Sequence, residues 1–142
     1  MLFKTTDLID EFNSSEVSPY LRAVTFELAR FWKYWVKKKM TVTGILRDPH
    51  LQVKYCKKYG FKSQFQHCAG EAIDFRSSNL DDEDIERLGK YVNVYLKKIC
   101  LLKYHSKGTG AHLHLNLIGD FTDKANIWAV VKNAGAEEWF TG

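Results

Sequence analysis

Two short segments contain the side chains best suited to bind a metal ion. The first is residues 67–74, with the sequence His-Cys-Ala-Gly-Glu-Ala-Ile-Asp, in which His67 and Asp74 are separated by six residues. The second is the His-Leu-His sequence that contains His112 and His114. Imidazole and carboxylate groups are zinc ligands, and catalytic zinc sites use three such ligands and keep a fourth position open for water. Together, the two segments predict a metal site of the hydrolytic kind.

The first segment predicts a turn followed by a strand. In residues 72–76, polar and apolar side chains alternate, which is typical of a strand with one apolar face. We therefore expect Asp74 to point away from the core. Gly70 can adopt backbone conformations that other residues avoid, so it can make the turn that brings His67 back towards Asp74.

The second segment predicts a strand with one polar face. Residues 112–118 alternate between leucine or isoleucine and the polar residues His112, His114 and Asn116. Two histidines at positions i and i+2 of a strand project to the same side and lie about 7 Å apart. If this strand is a neighbour of the strand at 72–76, one of the two imidazoles can join the first pair of ligands.

The two segments resemble those of the LAS metallopeptidases, the group that contains zinc D-Ala-D-Ala carboxypeptidases and L-alanyl-D-glutamate endopeptidases. That family has a His-x-x-Gly-x-Ala-x-Asp segment followed by His-x-His or by an acid-x-x-His variant. An upstream turn at residues 43–49 also looks similar to the Ser-Gly-Tyr-Arg-like turn of the family. The resemblance covers roughly residues 41–118, and the matching positions are His67, Gly70, Ala72, Asp74, His112, His114 and, in the upstream turn, Arg47.

The resemblance implies a role for each of these residues. His67, Asp74 and His114 would bind one zinc ion, His112 would be the acid/base partner, and Arg47 would contact the substrate or the oxyanion. An imidazole suits proton transfer because its ordinary pKa is about 6.5. A guanidinium can stabilise an anionic intermediate or hold a terminal carboxylate. From the residues alone, Arg47 is interpreted equally well as an ordinary surface arginine at the end of a strand.

Some positions depart from the family pattern. Phe65 stands where many members have serine, and residues 108–111 lack the acid that often precedes the last ligand. Glu71 is a second candidate base, but strand alternation places it on the face of Ile73, away from the metal. Cys68 adjoins a ligand, and a structural thiol is its simpler interpretation because the ligand set is complete without it.

The surrounding pattern predicts the elements that position the site. Helices are expected at residues 19–38, 49–59, 81–99 and 123–134, with Ser18 and Asn79 as N-caps of the first and third. Strands are expected at residues 41–46, 72–76, 100–105 and 112–118, the last two forming a hairpin whose glycine loop, 106–110, shapes the rim of a cleft. We therefore expect one small α+β domain over residues 1–142. Its antiparallel sheet would carry the metal site and its helices would pack on one face, as in the hedgehog and D-Ala-D-Ala peptidase fold.

Composition restricts the class of protein. The 142 residues are 45% hydrophobic, enough for one core, and contain no apolar run long enough to span a membrane. Three cysteines form no disulfide framework and fit a reducing compartment. The N-terminus lacks the apolar core of a signal peptide, so we expect synthesis in a cytoplasm without secretion by the general route. A net charge of +4 is no evidence for nucleic-acid binding, and we expect a monomer.

These observations predict a zinc peptidase that cuts a peptide bond in the stem peptides of bacterial peptidoglycan. Small family members without signal peptides are often phage lysis enzymes, which reach the wall through a holin-type exit or as part of the virion. The bond can be D-Ala-D-Ala or L-Ala-D-Glu. One alternative is a binding or virion structural protein that keeps the metal without turnover. Another is a metal site that serves folding alone, with Cys68 or His112 as a fourth ligand.

Overall fold

The computed structural model describes residues 1–106 and 110–142. Within these ranges, five strands form one mixed sheet in the order β1-β2-β3-β5-β4. The strands are β1 (Leu2–Phe3), β2 (Thr41–Gly44), β3 (Ala72–Arg76), β4 (Cys100–His105) and β5 (His112–Leu117). The α-helices are α1 (Thr6–Phe12), α2 (Pro19–Phe31), α3 (Pro49–Tyr59), α4 (Asp82–Tyr95) and α5 (Lys124–Asn133). The α+β class is confirmed.

The sheet is antiparallel except at one edge. β2, β3, β5 and β4 pair antiparallel in that order, and β4 and β5 form the predicted hairpin. β1 pairs parallel with β2, so the prediction of a purely antiparallel sheet is wrong at this edge. The reason is that α1 and α2 lie between the two strands in the chain and make the crossover that a parallel pair needs. The predicted loop at 106–110 falls mostly on residues 107–109, outside the described residues.

One face of the sheet carries the main core. β3 and β5 contribute alternate apolar side chains, and α1, α2 and α4 cover them. Trp32, just after α2, is fully buried and packs edge-on against Phe75 of β3, with 5.8 Å between ring centroids. Because this face of β3 and β5 is apolar, the polar side chains of the same strands must point to the opposite face.

A second, smaller core lies outside the main one. It consists of Cys56 of α3, Phe65, Ala69, and Ile127 and Val131 of α5, with further residues of the C-terminal segment. The prediction that the helices pack on one face of the sheet therefore holds for α1, α2 and α4 only. α3 and α5 instead hold the turn that contains residue 67.

The helix ends show which capping predictions were right. The Ser18 side chain accepts a hydrogen bond from the Tyr20 amide at the start of α2, as predicted. Asn79 does not cap α4, because Asp81 does so in a reciprocal capping box with Asp84. The three-residue spacing of these two acids allows both bonds, whereas the Asn79 amide donates to the backbone carbonyl of Lys39.

Two helices end earlier than predicted. After α2 the chain continues as a π-helical turn, Trp32–Val36, and leaves the helical conformation at Lys37, whose φ is 60°. α4 ends at Tyr95, ahead of the predicted end at residue 99. Among the described residues, none of the helices has both the length and the apolar character that crossing a membrane requires.

Candidate metal centre

Asp74 and His114 lie directly opposite each other on neighbouring strands. The antiparallel register of β3 and β5 pairs them, and it pairs Arg76 with His112 in the same way. Both side chains project from the face of the sheet that is opposite the main core. His114 Nδ1 is 3.0 Å from Asp74 Oδ1. The two segments therefore form neighbouring strands, which is the condition for the histidine of β5 to join the first pair of ligands.

His67 reaches the same carboxylate from a turn. The 3₁₀ turn His67–Ala69 ends at Gly70, whose φ of 71° is the left-handed conformation that glycine favours. A Cβ at this position would lie 1.9 Å from the carbonyl oxygen of Glu16, so only glycine fits. The resulting direction of the chain places His67 Nε2 3.2 Å from Asp74 Oδ1. The predicted role of Gly70 is therefore confirmed.

The other ring nitrogen of each imidazole, His67 Nδ1 and His114 Nε2, already has a hydrogen-bond partner. His67 Nδ1 donates to the backbone carbonyl of Ile45, 2.7 Å away. His114 Nε2 donates to Asn116 Oδ1 at 3.1 Å, and the Asn116 amide nitrogen donates in turn to the Leu117 carbonyl, which fixes the amide's orientation. A neutral imidazole has one N–H. In its neutral form, each ring therefore turns a lone pair towards the aspartate, where a metal ion can take it up.

The three groups form a site that can hold a cation. One ligand atom from each of His67, Asp74 and His114 lies within 4.8 Å of the other two. Burial lowers the pKa of His114, which favours its neutral form. Burial would raise the pKa of Asp74, but the hydrogen bonds and the positive charge that His114 and His67 supply when they are protonated hold that pKa well below the ordinary value, so the carboxylate is ionised. Two lone pairs and an anionic oxygen that converge in this way suit a divalent metal ion.

His112 lies beside this group without belonging to it. Its Nε2 is 4.0 Å from Asp74 Oδ2, whereas His114 contacts the other carboxylate oxygen, Oδ1. Its Nδ1 donates to the Gly110 carbonyl at 2.9 Å, so Nε2 carries the lone pair. His112 is partly exposed. The structure thus places an imidazole base next to the metal-binding group, facing solvent.

Arg47 lines the cleft that contains the metal-binding group. Its guanidinium donates to Gln52 Oε1 at 2.7 Å and lies over the ring of Tyr55, 6.0 Å from the centroid. The Gln52 amide donates in turn to Ser63 Oγ at 2.7 Å. These contacts hold the guanidinium in the cleft, which distinguishes Arg47 from a free surface arginine.

The cleft has a volume of ≈ 510 Å³ and a marked charge pattern. Among the described residues that line it, Asp74 is the single carboxylate, and three side chains, Arg47, Lys62 and Lys103, are cationic. One wall is aromatic, where neighbouring rings of Tyr55, Tyr59 and Phe61 lie 6.4 and 6.2 Å apart. Cationic side chains therefore outnumber carboxylates in the lining of the cleft.

Two further sequence candidates lie away from the metal-binding group. The buried carboxylate of Glu71 accepts hydrogen bonds from the Thr122 hydroxyl and, at 2.7 Å, from the Asp123 amide. Glu71 therefore connects the residue before β3 to the start of α5, and it is not among the residues that line the cleft. Burial raises the pKa of the Cys68 thiol to about 11, so it is protonated at neutral pH. The interpretation of Cys68 as a structural thiol agrees with this environment.

His105 also lies in the cleft, although the resemblance gives it no role. The β4–β5 register pairs His105 with His112, and the ring centroids are 5.2 Å apart. The ring is also 5.7 Å from that of His114. Burial lowers the pKa of His105. The signal for this histidine is the register of the hairpin, because directly opposed residues share a face.

No family model, curated protein or solved structure matches this chain. Its functional interpretation therefore depends on the geometry of the metal-binding group and on the residues that line the cleft.

Proposed function

We propose that this chain is a zinc-dependent peptidase of the LAS type, with a hedgehog and D-Ala-D-Ala peptidase-like fold, that hydrolyses a peptide bond in peptidoglycan stem peptides. One observation carries the proposal. The imidazoles of His67 and His114, whose tautomers are set by hydrogen bonds, converge with the ionised carboxylate of Asp74 in an open cleft. A third imidazole, that of His112, lies beside them with its Nε2 towards Asp74. A site that served folding alone would use a fourth protein ligand in place of that opening.

The ligands and the base have separate tasks in this proposal. His67, Asp74 and His114 would hold the zinc ion, which supplies Lewis-acid activation of a water molecule and of the peptide carbonyl. His112 Nε2 would take the proton of the attacking water and deliver it to the leaving amine. The hydrogen bond from His112 Nδ1 to Gly110 supports this role, because it keeps the lone pair on the nitrogen that faces the site.

The charge of the cleft supports an anionic peptide as substrate. Arg47, Lys62 and Lys103 line it, and stem peptides carry free carboxylates. A guanidinium binds a carboxylate through paired hydrogen bonds. Arg47, held by Gln52 within the cleft, is therefore our candidate for the substrate contact. Both D-Ala-D-Ala and L-Ala-D-Glu bonds lie beside such carboxylates.

The proposed biological setting follows from the substrate. We propose that the protein is made in a cytoplasm as a monomer and meets peptidoglycan after release, as a phage lysis enzyme does. Its partners would be the stem peptides themselves, without nucleic acid. The modest net charge of +4 would help the protein adhere to the acidic wall polymer.

The proposal can be tested by incubating purified peptidoglycan with zinc-loaded protein and identifying the released fragments by mass spectrometry. We expect one class of stem-peptide bond to be cut. The variant His114→Ala should lose both zinc and activity, whereas His112→Ala should keep zinc and lose roughly 10²–10⁴-fold in rate, the usual contribution of a general base. His50→Ala, at an exposed histidine of α3, is the matched control. Absence of cleavage by the wild type, or undiminished cleavage by His114→Ala, would contradict the proposal.

A second candidate is a metal-binding relative without turnover, acting as a peptidoglycan-binding or virion structural protein. The observation that favours it is the absence of a carboxylate base, because Asp74 is the single acid among the described residues that line the cleft. This candidate predicts that the zinc-loaded protein sediments with peptidoglycan but releases no fragments. The same incubation therefore separates the two candidates.

A further inference from the structure

His105 and His112 form a pair of imidazoles that the proposed reaction uses only in part. They are direct cross-strand partners in the β4–β5 hairpin and project from the same face of the sheet. Both line the open cleft, and His105 is exposed. His112 Nδ1 donates to the Gly110 carbonyl, so its Nε2 is available as a ligand atom.

The separation of the two rings fits a shared metal ion. With Zn–N bonds of about 2.0–2.1 Å and a tetrahedral angle, the ring centroids of two ligating imidazoles lie about 5 Å apart. The centroids of His105 and His112 are 5.2 Å apart. Those of His67 and His114, the two imidazoles of the first site, are 5.0 Å apart. The ring centroids of the hairpin pair are thus separated by nearly the same distance as those of the first pair.

A carboxylate oxygen also faces this position, although Lys103 lines the same cleft. Asp74 Oδ1 is the oxygen that faces His67 and His114, and Oδ2 lies 4.0 Å from His112 Nε2. The ionised carboxylate therefore presents negative charge to the His112 side as well. An ion held by two imidazoles has fewer protein ligands than one at the first site, so it should bind more weakly.

We propose that His105 and His112 bind a second divalent ion of the zinc or nickel class, separate from the ion at the first site. Because this ion takes the lone pair of His112 Nε2, its binding removes the proposed general base. Excess zinc should then inhibit the peptidase. The inhibition rests on the proposed function, whereas the binding of the second ion stands independently of it.

Metal stoichiometry tests the binding. Isothermal titration of the metal-free protein with Zn²⁺, and separately with Ni²⁺, should show two equivalents, the second the weaker. His105→Ala should reduce the count to one, and the milder His105→Gln should weaken the second equivalent at least about tenfold. His50→Ala should keep both equivalents, and His67→Ala should lose the first and keep the second. One equivalent in the wild type, or two in His105→Ala, would overturn the proposal.

Activity tests the consequence. Excess zinc should abolish the activity that the wild type shows at one equivalent, whereas His105→Ala should keep at excess zinc the rate that it shows itself at one equivalent. Equal inhibition of both proteins would show that excess zinc acts elsewhere. If the wild type cuts no peptidoglycan, the proposed peptidase function fails, and the titrations still decide whether the second site exists.

Discussion

Asn116 Oδ1 accepts the hydrogen bond of His114 Nε2 at 3.1 Å, on the edge of the imidazole that faces away from Asp74. This contact selects the tautomer of His114 that turns the Nδ1 lone pair towards the carboxylate. Asn116 is buried, and its position two residues after His114 on β5 puts the two side chains on the same face of the sheet. The candidate ligand His114 and the group that orients it therefore come from one strand.

We predict that Asn116→Ala weakens zinc binding 10–100-fold, roughly the effect of losing a partner that orients a ligating histidine. The imidazole would then rotate or take the other tautomer. Competition with a chromogenic chelator would measure the affinity. Asn126→Ala, at an exposed asparagine of α5, should bind zinc like the wild type. Unchanged affinity in Asn116→Ala would show that the tautomer is set by another contact.

Metal removal should destabilise the protein, because an ion that binds only the folded state stabilises it. At a free zinc concentration of 100 times Kd, the gain in unfolding free energy is about 2.7 kcal/mol. We therefore expect a chelator to lower the melting temperature of the wild type, as measured by calorimetry. The chelator should have a much smaller effect on Asp74→Ala, which lacks the central ligand of the first site, and its full effect on Asp120→Ala, at an exposed aspartate. A melting temperature independent of zinc would contradict the metal site.

The parts of the site that the sequence could predict depend on strand alternation. The alternation around Asp74 and in residues 112–117 indicates which side chains leave the core, and the β3–β5 pairing then brings Asp74 to His114. The left-handed turn at Gly70 was also predictable, because glycine adopts that conformation at little cost. These features are local, so a single segment contains the information.

Other parts depend on which distant segments meet, and one segment cannot reveal that. The parallel pairing of Leu2–Phe3 with β2 requires two helices to cross over, and nothing in two residues indicates it. Phe65 adopts a left-handed conformation, with φ of 58°, because its ring is buried in the second core, where it packs against Phe140. The place of His105 in the cleft follows only once the register of the hairpin is known.

We predict that Gly70→Ala is strongly destabilising and that Gly60→Ala is not. Both glycines have positive φ, 71° and 68°. An alanine at either position would have to adopt the left-handed conformation, which costs about 1–2 kcal/mol of unfolding free energy. Only at Gly70 would the new Cβ collide with a backbone atom, the carbonyl oxygen of Glu16. Urea unfolding should therefore show a clearly larger loss of unfolding free energy for Gly70→Ala. Equal losses would mean that the turn before β3 can relax without cost.

Glu71→Gln should lower stability and leave catalysis intact. The glutamine oxygen can still accept from the Asp123 amide and its NH₂ group can donate to the Thr122 hydroxyl, but replacing the charged acceptor of two buried hydrogen bonds by a neutral amide costs about 1–2 kcal/mol. Because the side chain points away from the cleft, the folded, zinc-loaded variant should cut peptidoglycan at the wild-type rate. A loss of roughly 10²-fold or more would instead identify Glu71 as the general base. Urea unfolding and fragment release measure the two effects separately.

Cys68 should react with a thiol reagent at the same rate with and without zinc. It is partly buried against the second core, and its raised pKa, about 11, keeps it a thiol at neutral pH. A cysteine ligand would bind zinc as the thiolate and would be protected from the reagent by the ion. Mass spectrometry of the labelled peptide distinguishes Cys68 from Cys56 and Cys100, both of which are buried. Protection of Cys68 by zinc would favour a four-ligand site that serves folding, and equal labelling would leave the fourth position to water and substrate.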